Sequence, residues 1–272
     1  MGTLSNYATT ELVDHVFKAE YSPAATLYLA LCTSAPTAAS TGTNIVETDY
    51  TNYVRKSFTG SSLFAAAATR KVAQNAQIEF AQAGGASGSD ISHWVIVDAS
   101  SNGNMLAFGS FNSSWNTVDG NTPKIASGEI EISIGASGGA GFTDYAVHKM
   151  LDLMFRNQAW TSPNGSIHFG LTTATLSDSS TSGTEPSGNG YAREPVPNTS
   201  IDAATAGVTT NSVAIEFDEP SGSWGTIVSL IVMDALTSGN LLAYDNSNVT
   251  DQAVGSGDTV QLAIGAFDVD LD

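Results

Sequence analysis

Residues 91–108 read ISHWVIVDASSNGNMLAF, and residues 227–244 read IVSLIVMDALTSGNLLAY. Each opens with a β-branched, apolar run of the kind that fills a central strand. Each then passes through Ser/Gly/Asn punctuation into a second apolar run, the pattern of a hairpin. The two stretches correspond almost position for position, so the chain carries one hairpin twice.

Outward from that hairpin, five further segments pair in the same order. NYATTELVDHVF (Asn6–Phe17) matches DYAVHKMLDLMF (Asp144–Phe155), and SPAATLYLALCT (Ser22–Thr33) matches SPNGSIHFGLTT (Ser162–Thr173). NYVRKSF (Asn52–Phe58) matches GYAREPV (Gly190–Val196), and NAQIEFAQA (Asn75–Ala83) matches SVAIEFDEP (Ser212–Pro220). Last, GEIEISIGA (Gly128–Ala136) is aligned with DTVQLAIGA (Asp258–Ala266). The spacing stays at about 130 to 140 residues throughout. A period this long marks a duplicated domain, not a solenoid. The expected organisation is a first copy over residues 1–135, a Gly/Ser linker over 136–141, and a second copy over 142–272.

Leu12, Val13, Val16 and Phe17 fall at helical spacing, as do Met150, Leu151, Met154 and Phe155. Pro23 and Pro163 follow, where helices stop. The remainder reads as strands: TLYLALCT and SIHFGLTT with a buried face, and EIEISIG alternating strictly between two faces. The fold class expected is therefore mainly β. It consists of two similar antiparallel, jelly-roll-like β-sandwich domains, each opening with one short α-helix.

Apolar residues make up 42% of the 272, enough to build sizeable cores, while only 13% are charged. The surface must then be rich in Ser, Thr, Asn and Gly, which suits turns and strands. The net charge is −18, carried unevenly: −5 over residues 1–141 and −13 over 142–272. So acidic a chain is not expected to bind nucleic acid, because its basic doublets, Arg55-Lys56 and Arg70-Lys71, are short and isolated. No apolar run reaches the roughly 20 residues of a membrane span, and the opening MGTLSNYATT is too polar for a secretory signal. These features predict a soluble protein assembled in a cytoplasm, with no membrane partner.

Candidate chemistry is sparse. Cys32 is the only cysteine, so no intrachain disulfide can form, and its place inside LYLALC predicts a small buried core residue. The four histidines, His15, His93, His148 and His168, show no metal-ligand spacing. GASGG (Gly135–Gly139) fits the G-x-S-x-G pattern around Ser137, but a nucleophile elbow needs a parallel sheet fed by alternating helices. Asp268, Asp270 and Asp272 share one strand face and could offer carboxylates to calcium. The plainer reading is a solvated strand end with Phe267, Val269 and Leu271 turned inward. Tyr53-x-Arg55 recurs as Tyr191-x-Arg193, and the arginines are expected to pin a loop to its own domain. Trp94, Trp115, Trp160 and Trp224 could offer stacking faces for sugars, although Trp94 lies in a core-like strand. No catalytic, cofactor-binding or metal site is assigned, and no cofactor is expected.

The ordered set of segments resembles a family of phage virion proteins labelled tail-fibre-like or minor structural proteins. The resemblance rests on LSNYATTELVDHVF, SPAATLYLALCTSAP, GTEPSGNGYARE, NSVAIEF, WGTIVSLIVMDALTSGNLLAY and VGSGDTVQLAIGAFDVDLD. It covers nearly the whole chain, twice. The first copy departs from it at Thr51–Lys56 and Gly88–Ser92. The resemblance implies a non-enzymatic virion protein whose partners are the major capsid protein or other virion proteins, with self-association as a further mode. Within that class the compact, duplicated, acidic β-module points first to capsid decoration, cementing the shell. The alternative is a tail, collar or fibre-adaptor role in host attachment. A glycan hydrolase would need two carboxylates facing each other across a groove, and no such pair stands out.

Overall fold

The computed structural model describes residues 2–136, 138–165, 167–247 and 251–271. The protein is mainly β with antiparallel pairing in its large sheets, as the sequence predicts, except that Gly2–Leu4 and Glu131–Ser133 run parallel. The chain divides into two compact units. The first comprises Met1–Thr9, Ser22–Ile134 and His148–Trp160; the second comprises Thr10–Tyr21, Gly135–Val147 and Thr161–Asp272.

The first unit is built on a seven-stranded sheet. Its order is Lys56–Phe58, Leu27–Cys32, Ile91–Val97, Met105–Trp115, Gly2–Leu4, Glu131–Ser133, Lys71–Ala73. The expected hairpin lies at its centre, with Leu31 opposite Trp94 and Val95 opposite Phe108. Leu29, Leu31, Trp94, Val95 and Ile96 are fully buried. The second unit has a five-stranded sheet in the equivalent order: Glu194–Val196, Ile167–Thr172, Ser229–Met233, Leu241–Asp245, Ala140–Phe142. Leu171 lies opposite Leu230 and Val232 opposite Ala243, so the hairpin is reproduced in register.

Two features extend the expectation. A short strand precedes each helix, Gly2–Leu4 and Ala140–Phe142, so two residues of the expected linker, Ala140 and Gly141, are paired with Asp245 and Tyr244 respectively. The alignment of the last segment also needs correction. Glu131–Ser133 pairs with Lys71–Ala73, and the strand doing the same work in the second unit is Asp268–Val269, which pairs with Thr209–Thr210. DTVQLAIGA instead holds Gln261–Leu262, which pairs with Ile215–Glu216 as Lys124–Ile125 pairs with Ile78–Glu79. The true offset is 137 residues here, and Gly128 and Gly265 confirm it: their N–H groups donate to Gln74 O and Asn211 O, both at 3.0 Å.

The helices Asn6–Phe17 and Asp144–Arg156 form where the periodicity places them. Ser5 Oγ caps the first by accepting from Ala8 N at 3.1 Å, and Thr143 Oγ1 caps the second from Ala146 N at 3.3 Å. Each helix begins in the unit of its own repeat, and its C-terminal part belongs to the other unit. In the first unit Phe155 packs edge-on against Phe64, ring centroids 6.0 Å apart. There Asp152 Oδ1 accepts from Ala67 N at 2.8 Å and His148 Nε2 from Arg70 N at 3.0 Å. In the second unit Phe17 packs against Phe142 and Phe267, at 5.9 and 5.5 Å. Asp14 Oδ1 accepts from Ala204 N at 2.7 Å, the counterpart of the Asp152 bond. The same helix position thus ties down the same loop, in each case with the helix taken from the opposite repeat.

Candidate functional site

The Tyr-x-Arg motifs build the most ordered polar constellation in each unit. In the first unit Arg55 donates from Nε and Nη2 to Glu47 Oε1 at 3.0 and 2.7 Å, and from Nη1 to the carbonyls of Ala99 and Asn102 at 3.0 and 2.8 Å. Its Nη2 also reaches Gly42 O at 2.7 Å. Tyr53 Oη donates to Glu47 Oε2 at 2.7 Å and accepts from Leu31 N at 3.0 Å. The second unit repeats the set with Arg193, Glu185, Tyr191, Ala235, Ser238 and Leu171. Only 5% of the Arg55 side chain and 9% of the Arg193 side chain are exposed. Burial, reinforced by the glutamate charge, pushes the phenols of Tyr53 and Tyr191 well above the ordinary tyrosine range.

This clasp holds the turn of the central hairpin. Within that turn Asp98 accepts from Asn104 N and Nδ2 at 2.7 and 2.8 Å, and Asp234 accepts from Asn240 at 2.6 and 2.7 Å. Asn102-Gly103 and Ser238-Gly239 both take positive φ within a loop closed by Asp98 N donating to Asn104 O and Asp234 N to Asn240 O, each at 3.2 Å. The arginines therefore pin a loop of their own unit, as the motif predicts. Sequence reading missed Glu47 and Glu185, although each stands six residues before its tyrosine and the spacing E-x5-Y-x-R is written twice.

The other candidates are dispersed. Cys32 is fully buried against Ala30, Val95, Val97 and Met105, and burial pushes its thiol up to about 12. His15 is buried and its Nδ1 accepts from Tyr21 N at 3.1 Å; His93 Nδ1 meets Ser92 Oγ at 2.8 Å. The Nδ1 of His168 is buried with no hydrogen-bond partner. Among the described residues no group of three His, Cys, Asp or Glu side chains could hold a metal ion. Asp268 and Asp270 are exposed while Phe267, Val269 and Leu271 are 2 to 3% exposed, so the strand end alternates as expected. Asp272 and Ser137 lie outside the described residues. Trp94 is fully buried. Trp224 is 4% exposed, stacked edge-on to Tyr191 at 5.2 Å, with its Nε1 donating to Asn189 O at 3.0 Å. Trp115 and Trp160 are half-buried.

Two hollows accompany this framework. In the first unit the exposed side of the clasp leaves a shallow one of about 420 Å³, edged by Thr43, Val54, Ser100 and Ser101. In the second unit a deeper pocket of about 300 Å³ has an apolar floor of Leu171, Phe217, Ile227, Leu230, Val254 and Leu262. Gln252, Thr259 and Gln261 stand at its edge. No described helix is long and apolar enough to cross a membrane. The family described as "Podophage GP4 fiber I protein gp80" matches residues 3–133 and again residues 141–270. No curated protein matches the chain.

Proposed function

Because the chain belongs to the podophage GP4 fiber I protein gp80 family, with that module written twice, we propose that it is a non-catalytic structural component at the fibre-bearing, tail side of a phage virion. The family match over both repeats carries this reading. The clasps support it: the best-organised polar groups of each unit are consumed in holding a turn, which makes rigid scaffolding. In this role its partners are other virion proteins, and it acts through surface contacts repeated around a symmetric assembly.

Capsid decoration is the second reading. It is favoured by the two compact β units and by the absence, among the described residues, of a long repetitive shaft. Copy number separates the two. Quantitative mass spectrometry of purified particles, referenced to the major shell protein, is expected to give roughly a dozen copies or a small multiple of that. Copies on the order of hundreds, set by lattice symmetry, would establish decoration and sink the tail-side role. Absence from particles would overturn both.

A further inference from the structure

Asparagine is followed by glycine three times, at Asn102-Gly103, Asn164-Gly165 and Asn189-Gly190. In such a pair the glycine nitrogen, once it has lost its proton, can attack the asparagine side-chain carbon Cγ, because no Cβ on the second residue obstructs the approach. The five-membered ring closes only when that nitrogen swings to the same side of the Cα–C bond as the asparagine Cβ. The backbone angle ψ of the asparagine therefore decides which pairs react. In the left-handed region, with ψ roughly +30 to +60°, the nitrogen points away from Cβ, and closure asks for nearly a half turn. From the ordinary negative-φ regions the rotation needed is much smaller.

The fold holds two of the three pairs away from closure. Asn102 and Asn189 have φ of 53° and 54°, in the left-handed region. Their carbonyls, which would have to swing with ψ, are also fixed. Asn102 O accepts from Arg55 Nη1 at 2.8 Å, and Asn189 O accepts from Ser221 N and Trp224 Nε1, both at 3.0 Å. The Asn189 side chain is tethered as well, its Nδ2 donating to Ser223 O at 2.8 Å.

Asn164 lies outside these restraints. It keeps a negative φ, and its N–H donates to Ser162 Oγ at 3.3 Å. Among the described residues neither its carbonyl nor its side-chain amide has a hydrogen-bond partner, and the N–H of Gly165 has none. Gly165 is exposed, and a Cβ added to it would meet nothing within 4 Å, so the turn has room to rearrange. The first repeat carries Ala24-Ala25 at the same place, with no side-chain amide to react.

We propose that Asn164 is a site of spontaneous covalent modification, deamidating through a cyclic imide formed with Gly165. Hydroxide removes the Gly165 amide proton, the nitrogen bonds to Asn164 Cγ, and the Cγ–Nδ2 bond breaks as Nδ2 takes a proton from water and leaves as ammonia. Water then adds across either C–N bond of the imide, giving aspartate or isoaspartate. No oxidant or reductant enters the balance. The product places a new carboxylate, and in the isoaspartate form an extra backbone methylene, just ahead of the strand Ile167–Thr172.

The test is peptide mapping by mass spectrometry of the folded, full-length protein aged over days in mildly alkaline buffer, beside a sample aged unfolded in guanidinium chloride. In the folded protein the peptide holding Asn164 is expected to gain about 1 Da, several-fold faster than those holding Asn102 and Asn189. In the unfolded sample all three should convert at similar rates. Exposure alone predicts the opposite order for the folded protein, since Asn102 and Asn189 are exposed and Asn164 is half-buried. The Asn164 rate should rise with hydroxide concentration. Gly165→Ala should leave the melting temperature unchanged and slow the gain several-fold. Conversion of Asn102 or Asn189 as fast as Asn164 in the folded protein would overturn the proposal. So would an unchanged Asn164 where the unfolded chain converts, or a rate indifferent to Gly165→Ala.

Discussion

The guanidinium of Arg193 lies 9% exposed between Glu185 and the two carbonyls of a hairpin turn. Removing one member of so enclosed a pair leaves a charge without a partner, which costs about 3 to 5 kcal/mol. Arg193→Ala and Arg55→Ala are therefore expected to lower unfolding free energy by about 3 kcal/mol each, read as a reduced midpoint in urea. An exposed ion-pair member such as Lys124, paired with Glu79, should give no comparable loss when changed to alanine. Titration belongs to this scale too. Burial pushes the Cys32 thiol and the Tyr50 phenol each up to about 12. The folded state holds these protons after the unfolded chain has released them. Their contribution to stability is thus complete below pH 9, the ordinary thiol value, and is lost as pH rises through 12. Tyr53 and Tyr191 act in the same direction. Chemical denaturation from pH 8 to 11 should show stability falling above about pH 9, and Cys32 should resist thiol reagents until the protein unfolds.

At the level of elements, the central hairpin turn sets a strict backbone requirement. Gly239 has φ +79°, and a Cβ there would lie 2.5 Å from Asp234 Oδ1 and 2.8 Å from Ala235 Cβ; Gly103 is placed likewise. Gly239→Ala should cost about 1 to 3 kcal/mol, measured by thermal unfolding. The hairpins were legible because turn chemistry and apolar runs are local. The helices were legible because their 3.6-residue period repeats over three turns. The last strand was not: alternation assigns each residue to a face but does not name the strand it pairs with. On sequence, Asp258–Ala266 therefore aligns with Gly128–Ala136, although Asp268–Val269 holds the equivalent strand. The clasp was half legible, since the repeated Tyr-x-Arg shows in the sequence, but Glu47 reaches Arg55 only after the intervening loop has folded back. The pocket was invisible because it depends on that corrected register.

For the molecule as a whole, the exchange of helix ends sets the cooperativity. Sequence showed two amphipathic helices needing apolar cover; it could not say which repeat supplies it, because both repeats offer nearly the same surface. Phe155→Ala should cost about 3 to 5 kcal/mol. Its effect on hydrogen exchange should appear in Lys56–Phe58 and Gly60–Leu63 of the first repeat, sparing Ile167–Thr172, although Phe155 belongs to the second repeat. Chains cut between the repeats, 1–135 and 136–272, should each lack cooperative unfolding alone and regain it on mixing. Two independent, sharp transitions from the separated halves would refute this. The same crossing reaches into synthesis. The first unit needs His148–Trp160, so its sheet, complete in sequence by Ile134, waits on the ribosome for its last helix. The segment Thr10–Tyr21 waits longer, until the second sheet has been translated, roughly 10 to 50 seconds at ordinary elongation rates. Through that interval the apolar side chains Leu12, Val13, Val16 and Phe17, buried in the finished protein, remain open to chaperones and proteases. The first unit can close once Trp160 has been made, whereas the second waits for the end of the chain, so a chain stalled before Trp160 holds no finished unit.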